Sequence, residues 1–195
     1  DMMSHTFENY FTNVKGATLQ GHLCEAVLKT CIQYGPIALN DPENYEARAN
    51  PMWAGSLAIN GLLSDGAEVA WCVHPMEHEL SAFYDITHGQ GLAILTPVWM
   101  RFVLKKDPSK TAQLAAYGRN VWGLTGEDKT VAEEAIDKTA EFFFKTMEMP
   151  ENLRAVGITE KTHFEEMAAK AEAGSHGSFV PLTKEDIISI FEAAL

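Results

Sequence analysis

An all-α fold, a helical domain of about eight or nine helices, is what the sequence predicts, on three observations. Apolar residues recur at 3.6-residue spacing along the chain from Met2 to Leu195. No run alternates apolar and polar residues as a half-buried strand does, and no internal repeat is present. Short polar residues with Pro or Gly mark helix starts and stops.

Met2 to Tyr10 reads as a first short helix, followed by a loop over Asn13 to Gly21. His22 to Asn40 places Leu23, Ala26, Val27, Thr30, Cys31 and Tyr34 at helical spacing, with Gly35-Pro36 set to kink its end. Asp41-Pro42 has the form of a cap followed by a first-turn proline, opening a helix to about Leu63 whose Met52, Trp53, Leu57, Ile59 and Leu62 are its apolar side. A helix follows from about Trp71, breaks at Tyr84-Asp85, and gives way to another beginning near His88. Asp107-Pro108-Ser109 caps the next, through Leu114, Tyr117, Val121 and Trp122. Lys129 to Met147 is amphipathic and stops at Met149-Pro150, with the Phe142-Phe143-Phe144 run as core. Thr159 to Ala173 is a charged helix with a solvated acidic face, and Thr183 to Asp186 opens the last one with a capping-box pattern.

The chain has 195 residues, 46% of them hydrophobic, enough to bury a core as one large domain or two small ones. Its net charge of −12 repels phosphate backbones, which argues against a nucleic-acid partner. Three cysteines, Cys24, Cys31 and Cys72, show no CxxC and no framework spacing, so reduced thiols in a cytoplasmic protein are expected. Cys24 and Cys31, seven apart, belong on a buried helix face. The most apolar run, Gly91 to Leu104, holds Pro97 and Arg101 and falls short of the roughly 20 residues a membrane span needs. The first residue is Asp rather than Met, so a processed product or a fragment of a longer polypeptide is expected.

Chemistry concentrates in Val73 to Gly89, VHPMEHELSAFYDITHG, which holds three of the seven histidines. His74, Glu77 and His78 share one helix face. Two readings of this stretch compete. His74-Pro-Met-Glu77-His78 matches H-x-x-E-H, in which two His hold zinc and the Glu activates water in a metalloprotease. Alternatively Asp1 and His5, four apart, join His74 and His88 to give one oxygen and three nitrogens, a set suited to Zn²⁺ or Fe²⁺. His78 is then free to act beside the metal, and Glu77 is either its outer-sphere support or an exposed helix carboxylate. Trp53, Trp71 and Phe83 are candidate pocket walls, with core packing the commoner role for such residues. A helical domain that uses a metal only structurally is the non-enzymatic alternative.

The run His74-x3-His78-x9-His88-Gly89, followed by Leu92-Ala93-Ile94-Leu95-x-Pro97, resembles the iron-containing (group III) alcohol dehydrogenases, most closely their butanol dehydrogenase and NADPH-dependent aldehyde reductase branch. Asp1-x3-His5, Asp41-Pro-Glu-Asn-Tyr45, Arg48-Ala-Asn50 and Met52-Trp53-Ala54 are similar to that branch too, so the resemblance covers the entire chain. It implies metal ligands at Asp1, His5, His74 and His88. It implies that His78 lies near the nicotinamide of NAD(P)H and relays a proton while a small aldehyde or primary alcohol reacts. It also implies a homodimer. Full-length members carry a preceding α/β domain whose Gly-rich run holds the cofactor diphosphate. Nothing like G-G-G-S occurs here, so the chain resembles the C-terminal metal-binding domain alone, residues 1-195, with the nucleotide-binding domain absent.

Overall fold

The computed structural model describes residues 1–195 and contains nine α-helices and no strand. These are α1 (Met2–Tyr10), α2 (Thr18–Asn40), α3 (Tyr45–Ile59), α4 (His74–Tyr84), α5 (His88–Lys106), α6 (Thr111–Trp122), α7 (Asp128–Glu141), α8 (Phe164–Gly174) and α9 (Lys184–Ala194). Helix α5 is apolar on nearly every side: Gly91 to Pro97, Trp99, Met100 and Val103 are all buried. A helix with no polar face has to sit at the centre. Helices α1, α4, α7 and α9 accordingly pack around it, while α2 lies along α3, α6 along α7 and α8 along α9. Helix α1 is seated through Phe7 and Phe11, whose rings meet Tyr117 at 5.4 and 5.8 Å, and Phe11 also meets Trp99 at 5.9 Å. This packing fixes the helix that opens with Asp1.

The break at Tyr84-Asp85 is a tight reversal. Asp85 ends α4 in the left-handed conformation at φ 53°, and extended Thr87 starts α5. Three residues thus separate the two helices, and His88 returns alongside His74 and His78. The capping box at Thr183 forms as its sequence predicts, with the Thr183 side chain accepting from the Asp186 N–H and the Asp186 side chain accepting in return. Cys24, Cys31 and Cys72 are free and buried.

Several boundaries differ from the sequence reading. Helix α2 begins at Thr18, inside the expected loop, and runs through Pro36 to Asn40. Asp41-Pro42 does not start α3: both lie in a turn, and Asn44 is the cap, its side chain accepting from the Ala47 N–H. Helix α3 ends at Ile59. Of its apolar side, Met52, Trp53 and Ile59 point outward, about two-thirds exposed at 70, 69 and 67%, while Leu57 packs against the core. Small residues, Ala47, Ala54 and Ala58, take the inner side instead, letting α3 approach its neighbours closely. The histidine helix starts at His74 rather than Trp71, the charged helix at Phe164 rather than Thr159, and α7 passes into a π-helical turn over Phe142–Thr146.

Candidate metal centre

Three helix starts meet at one place: the cap of α1 and the first residues of α4 and α5. Asp1 caps α1 without turning its carboxylate back onto the helix, so that group is free to face inward. The Asp1 carbonyl still accepts the His5 N–H at 3.0 Å, which holds Asp1 in helical register. His74 is the first residue of α4 and His88 the first of α5. Asp1 Oδ1 stands 3.3 Å from His5 Nε2, 3.5 Å from His74 Nε2 and 3.4 Å from His88 Nε2. Two donors each about 2.0–2.2 Å from an ion at the tetrahedral angle are about 3.3–3.6 Å apart. Asp1, His74 and His88 form one donor set with every pair within 4.8 Å, whereas His5 reaches Asp1 but groups with Glu8 and His74 rather than with His88.

The opposite ring nitrogens say which atoms carry lone pairs. His74 Nδ1 is 2.6 Å from Glu8 Oε2, close though poorly aligned for a hydrogen bond, and His88 Nδ1 contacts Glu77 Oε2. A ring that gives its Nδ1–H to a carboxylate presents a bare Nε2, which is the case of His88 against Glu77, whereas His74 Nδ1 only contacts Glu8. His74 Nε2 is buried and has no hydrogen-bond partner. The buried, unpartnered His74 Nε2 and the Nε2 of His88 therefore both face the Asp1 carboxylate oxygen. Such an arrangement is repulsive until a cation joins it, and the residues fit a metal.

Glu8 is a site residue that the sequence reading missed. It is 1% exposed, and its Oε1 accepts the backbone N–H groups of Cys72, Val73 and His74 at 2.9, 2.7 and 3.0 Å. One carboxylate thus satisfies the open N-terminus of α4 and touches the ring of His74. The only sequence signal was an acid one helical turn after His5. Glu77 is fully buried, accepts from the Ser81 hydroxyl and contacts His88, so it is not an exposed carboxylate.

This geometry disfavours the protease reading. Glu77 is committed to Ser81 and His88 rather than facing water, and the donor sets formed here do not put His74 and His78 together. His78 is exposed, its ring stacked on His88 at 5.5 Å between centroids. His5 is pushed down to about 4, first by burial and next by the neighbouring His74, which keeps it neutral and able to ligate at neutral pH.

Of the three candidate wall residues, Trp71 stands nearest: it is 43% exposed and meets His74 edge-on at 5.4 Å. Trp53 lies on the outer face of α3, and only Phe83 packs against the core. Behind Asp1 a cavity of about 170 Å³ is lined by Met2, Cys31, Leu92, Phe142 and Met147. Burial raises the Cys31 thiol to about 11, so this cysteine is inert at neutral pH.

A model of the C-terminal part of the Fe-containing alcohol dehydrogenase family matches residues 1–195. The chain belongs to the iron-containing alcohol dehydrogenase family. It is 51% identical over 197 residues to NADH-dependent butanol dehydrogenase A of Clostridium acetobutylicum, covering 98% of this chain and 50% of that one. It is 38% identical over 159 residues to NADPH-dependent aldehyde reductase YqhD of Escherichia coli, covering 81% and 40%. The crystal structure of an NADH-dependent butanol dehydrogenase A from Thermotoga maritima superposes with a TM-score of 0.87 at 28% identity, over 100% of this chain and 50% of that one. The chain spans about half the length of these relatives.

In this member of the family the two carboxylates Glu8 and Glu77 are buried more deeply than Asp1, His5 and His88. A Cβ on Gly91 would lie 2.6 Å from Glu77 Oε1 and 2.8 Å from its Cγ. Glu77 is enclosed and cannot swing away. Gly91→Ala is expected to displace it from His88 and weaken metal affinity roughly 10–100-fold, as loss of an outer-sphere partner does. Competition with a metallochromic chelator measures this, and unchanged affinity would show that the Glu77–His88 contact is dispensable.

Proposed function

We propose that this chain is the metal-binding half of a NAD(P)H-dependent alcohol dehydrogenase that interconverts a small aldehyde and its primary alcohol, butanol being one such substrate. The observation that carries the reading is the clustering of the His5, His74 and His88 Nε2 atoms within 3.5 Å of Asp1 Oδ1, with His74 Nε2 buried and unpartnered. Asp1, His5, His74 and His88 would hold Fe²⁺ or Zn²⁺. When bound, the ion acts as a Lewis acid toward a carbonyl oxygen and favours the alkoxide.

The remaining roles fall to side chains. Glu8 and Glu77 orient the rings of His74 and His88 and fix their tautomers. His78, exposed and stacked on His88, is placed to pass a proton to or from the alkoxide oxygen and to lie against the nicotinamide. The hydride belongs to the nicotinamide, whose diphosphate needs a Gly-rich loop that residues 1–195 do not provide. A nucleotide-binding domain is therefore the complement of this one. NADH is the cofactor named for the butanol dehydrogenase relative and NADPH for YqhD, so either suits the reading. No helix is long and apolar enough to cross a membrane. A homodimer goes with this reading and is carried by the family resemblance alone, and a cytoplasmic location goes with it on the three free cysteines.

The metal-loaded chain alone should show no butanal-dependent NADH oxidation. Joined to the uncovered half of the C. acetobutylicum butanol dehydrogenase, it should turn over butanal. His74→Ala in that chimera should abolish turnover. A folded, metal-loaded chimera without activity would sink the proposal, as would ready turnover by residues 1–195 alone.

A further inference from the structure

A second polar site lies away from the metal, where the end of α1 meets the start of α2. Glu25 is 7% exposed and takes part in no ion pair. Its Oε1 accepts from the Tyr10 hydroxyl at 2.9 Å and from Asn120 Nδ2 at 2.7 Å. Burial and Glu25 together raise Tyr10, which keeps that hydroxyl a donor. Glu25 borders a pocket of about 370 Å³ that no lysine or arginine lines. A buried carboxylate without a cation is costly unless a partner completes it.

The amides around this pocket are all turned the same way. Asn9 donates to the His5 carbonyl, Gln113 to the Tyr10 and Thr12 carbonyls, Gln20 to the Asp65 carbonyl and Asn120 to Glu25. Each NH₂ meets an atom that can only accept, so none of these amides can be flipped. Their oxygens are left over, and Asn9 Oδ1 is buried with no partner at all. The pocket wall therefore carries one carboxylate, the imidazole of His22 and amides whose oxygens accept no hydrogen bond. The C-terminus of α1 and the N-terminus of α2 both border it, so their dipoles offset one another.

We infer that this pocket binds a small organic ammonium, its N–H groups shared between the free side of Glu25 and the amide oxygens. A single carboxylate matches one positive charge, and the volume exceeds what a bare ion fills. The site is independent of the metal centre and of the redox reading.

Titration calorimetry of the full chain with 1-aminobutane, a monoammonium at neutral pH, tests this. Saturable binding is expected, at least about tenfold weaker in Glu25→Gln, which keeps the shape and removes the charge. Tetramethylammonium, which has no N–H, should not compete, and neither should potassium. Gly21 borders the pocket, and a Cβ there meets nothing within 4 Å, so Gly21→Leu should fill the space, leave the fold intact and abolish binding. Equal binding by either variant, or competition by tetramethylammonium or potassium, would reduce the effect to attraction by the acidic surface and overturn the inference. Absence of binding to the wild-type chain would overturn it as well.

Discussion

His88→Ala should empty the metal site on dialysis, while His78→Ala keeps it filled. Elemental analysis at equal protein concentration reads both. Removing one of four donors weakens an ion by orders of magnitude, beyond the roughly 10–100-fold that accompanies loss of an outer partner. His88 Nε2 stands 3.4 Å from Asp1 Oδ1 at the point of convergence, whereas His78 is exposed and stacked on the outer side of His88. His74→Ala and His5→Ala belong with His88→Ala. Joined to a nucleotide-binding half, His78→Ala should instead lower turnover with the metal retained, because its role concerns the proton. Retention of metal by His88→Ala together with its loss from His78→Ala would restore the H-x-x-E-H arrangement and remove the dehydrogenase assignment.

Replacing Glu8 should cost the protein both stability and metal, and two variants separate these effects. In Glu8→Ala the backbone N–H groups of Cys72, Val73 and His74 lose their acceptor in a buried place. Each unsatisfied buried donor costs about 1–3 kcal/mol, so a loss on the order of 3–5 kcal/mol is expected. For a domain of this size that lowers the melting temperature by roughly 10 °C. Glu8→Gln keeps an acceptor for the three N–H groups but sets an NH₂ against His74 Nδ1. His74 must then carry its proton on Nε2, where a ligand needs a lone pair. Metal affinity should fall roughly 10–100-fold with a much smaller change in melting temperature. Calorimetry and chelator competition give the two numbers, and equal loss of both in the two variants would mean that Glu8 is only a helix cap.

Local rules made much of this molecule legible. The limits of α1, the reversal at Asp85, the start of α5 at His88 and the capping box at Thr183 all follow from period and punctuation within a few residues. Asp41-Pro42 misled because Asn44, three residues on, competes for the same role and makes the actual cap. Helix α3 misled more deeply. Met52, Trp53 and Ile59 form an apolar stripe, and period alone cannot say whether such a stripe faces a core or the outside. For the candidate site, the spacing of His74, His78 and His88 was visible because it lies on two consecutive helices. Glu8 was not, because its partners are the N–H groups of residues more than sixty positions away, and backbone donors leave no trace in side-chain pattern.

The three-helix origin of the cluster has a topological consequence. His5 and His74 bracket the whole of α2 and α3, so an ion held by both closes a loop of roughly 70 residues. A cross-link of that span removes about 4 kcal/mol of chain entropy from the unfolded ensemble, so long as both ends stay attached. The ion would then act as a clasp on connectivity as well as a centre for chemistry. With it in place, α2 and α3 can loosen as a tethered excursion while α1 stays fastened to α4. Without it, α1 keeps its packing through Phe7 and Phe11 and the Glu8 hydrogen bonds to the Cys72, Val73 and His74 N–H groups, but the loop over α2 and α3 is no longer closed by an ion.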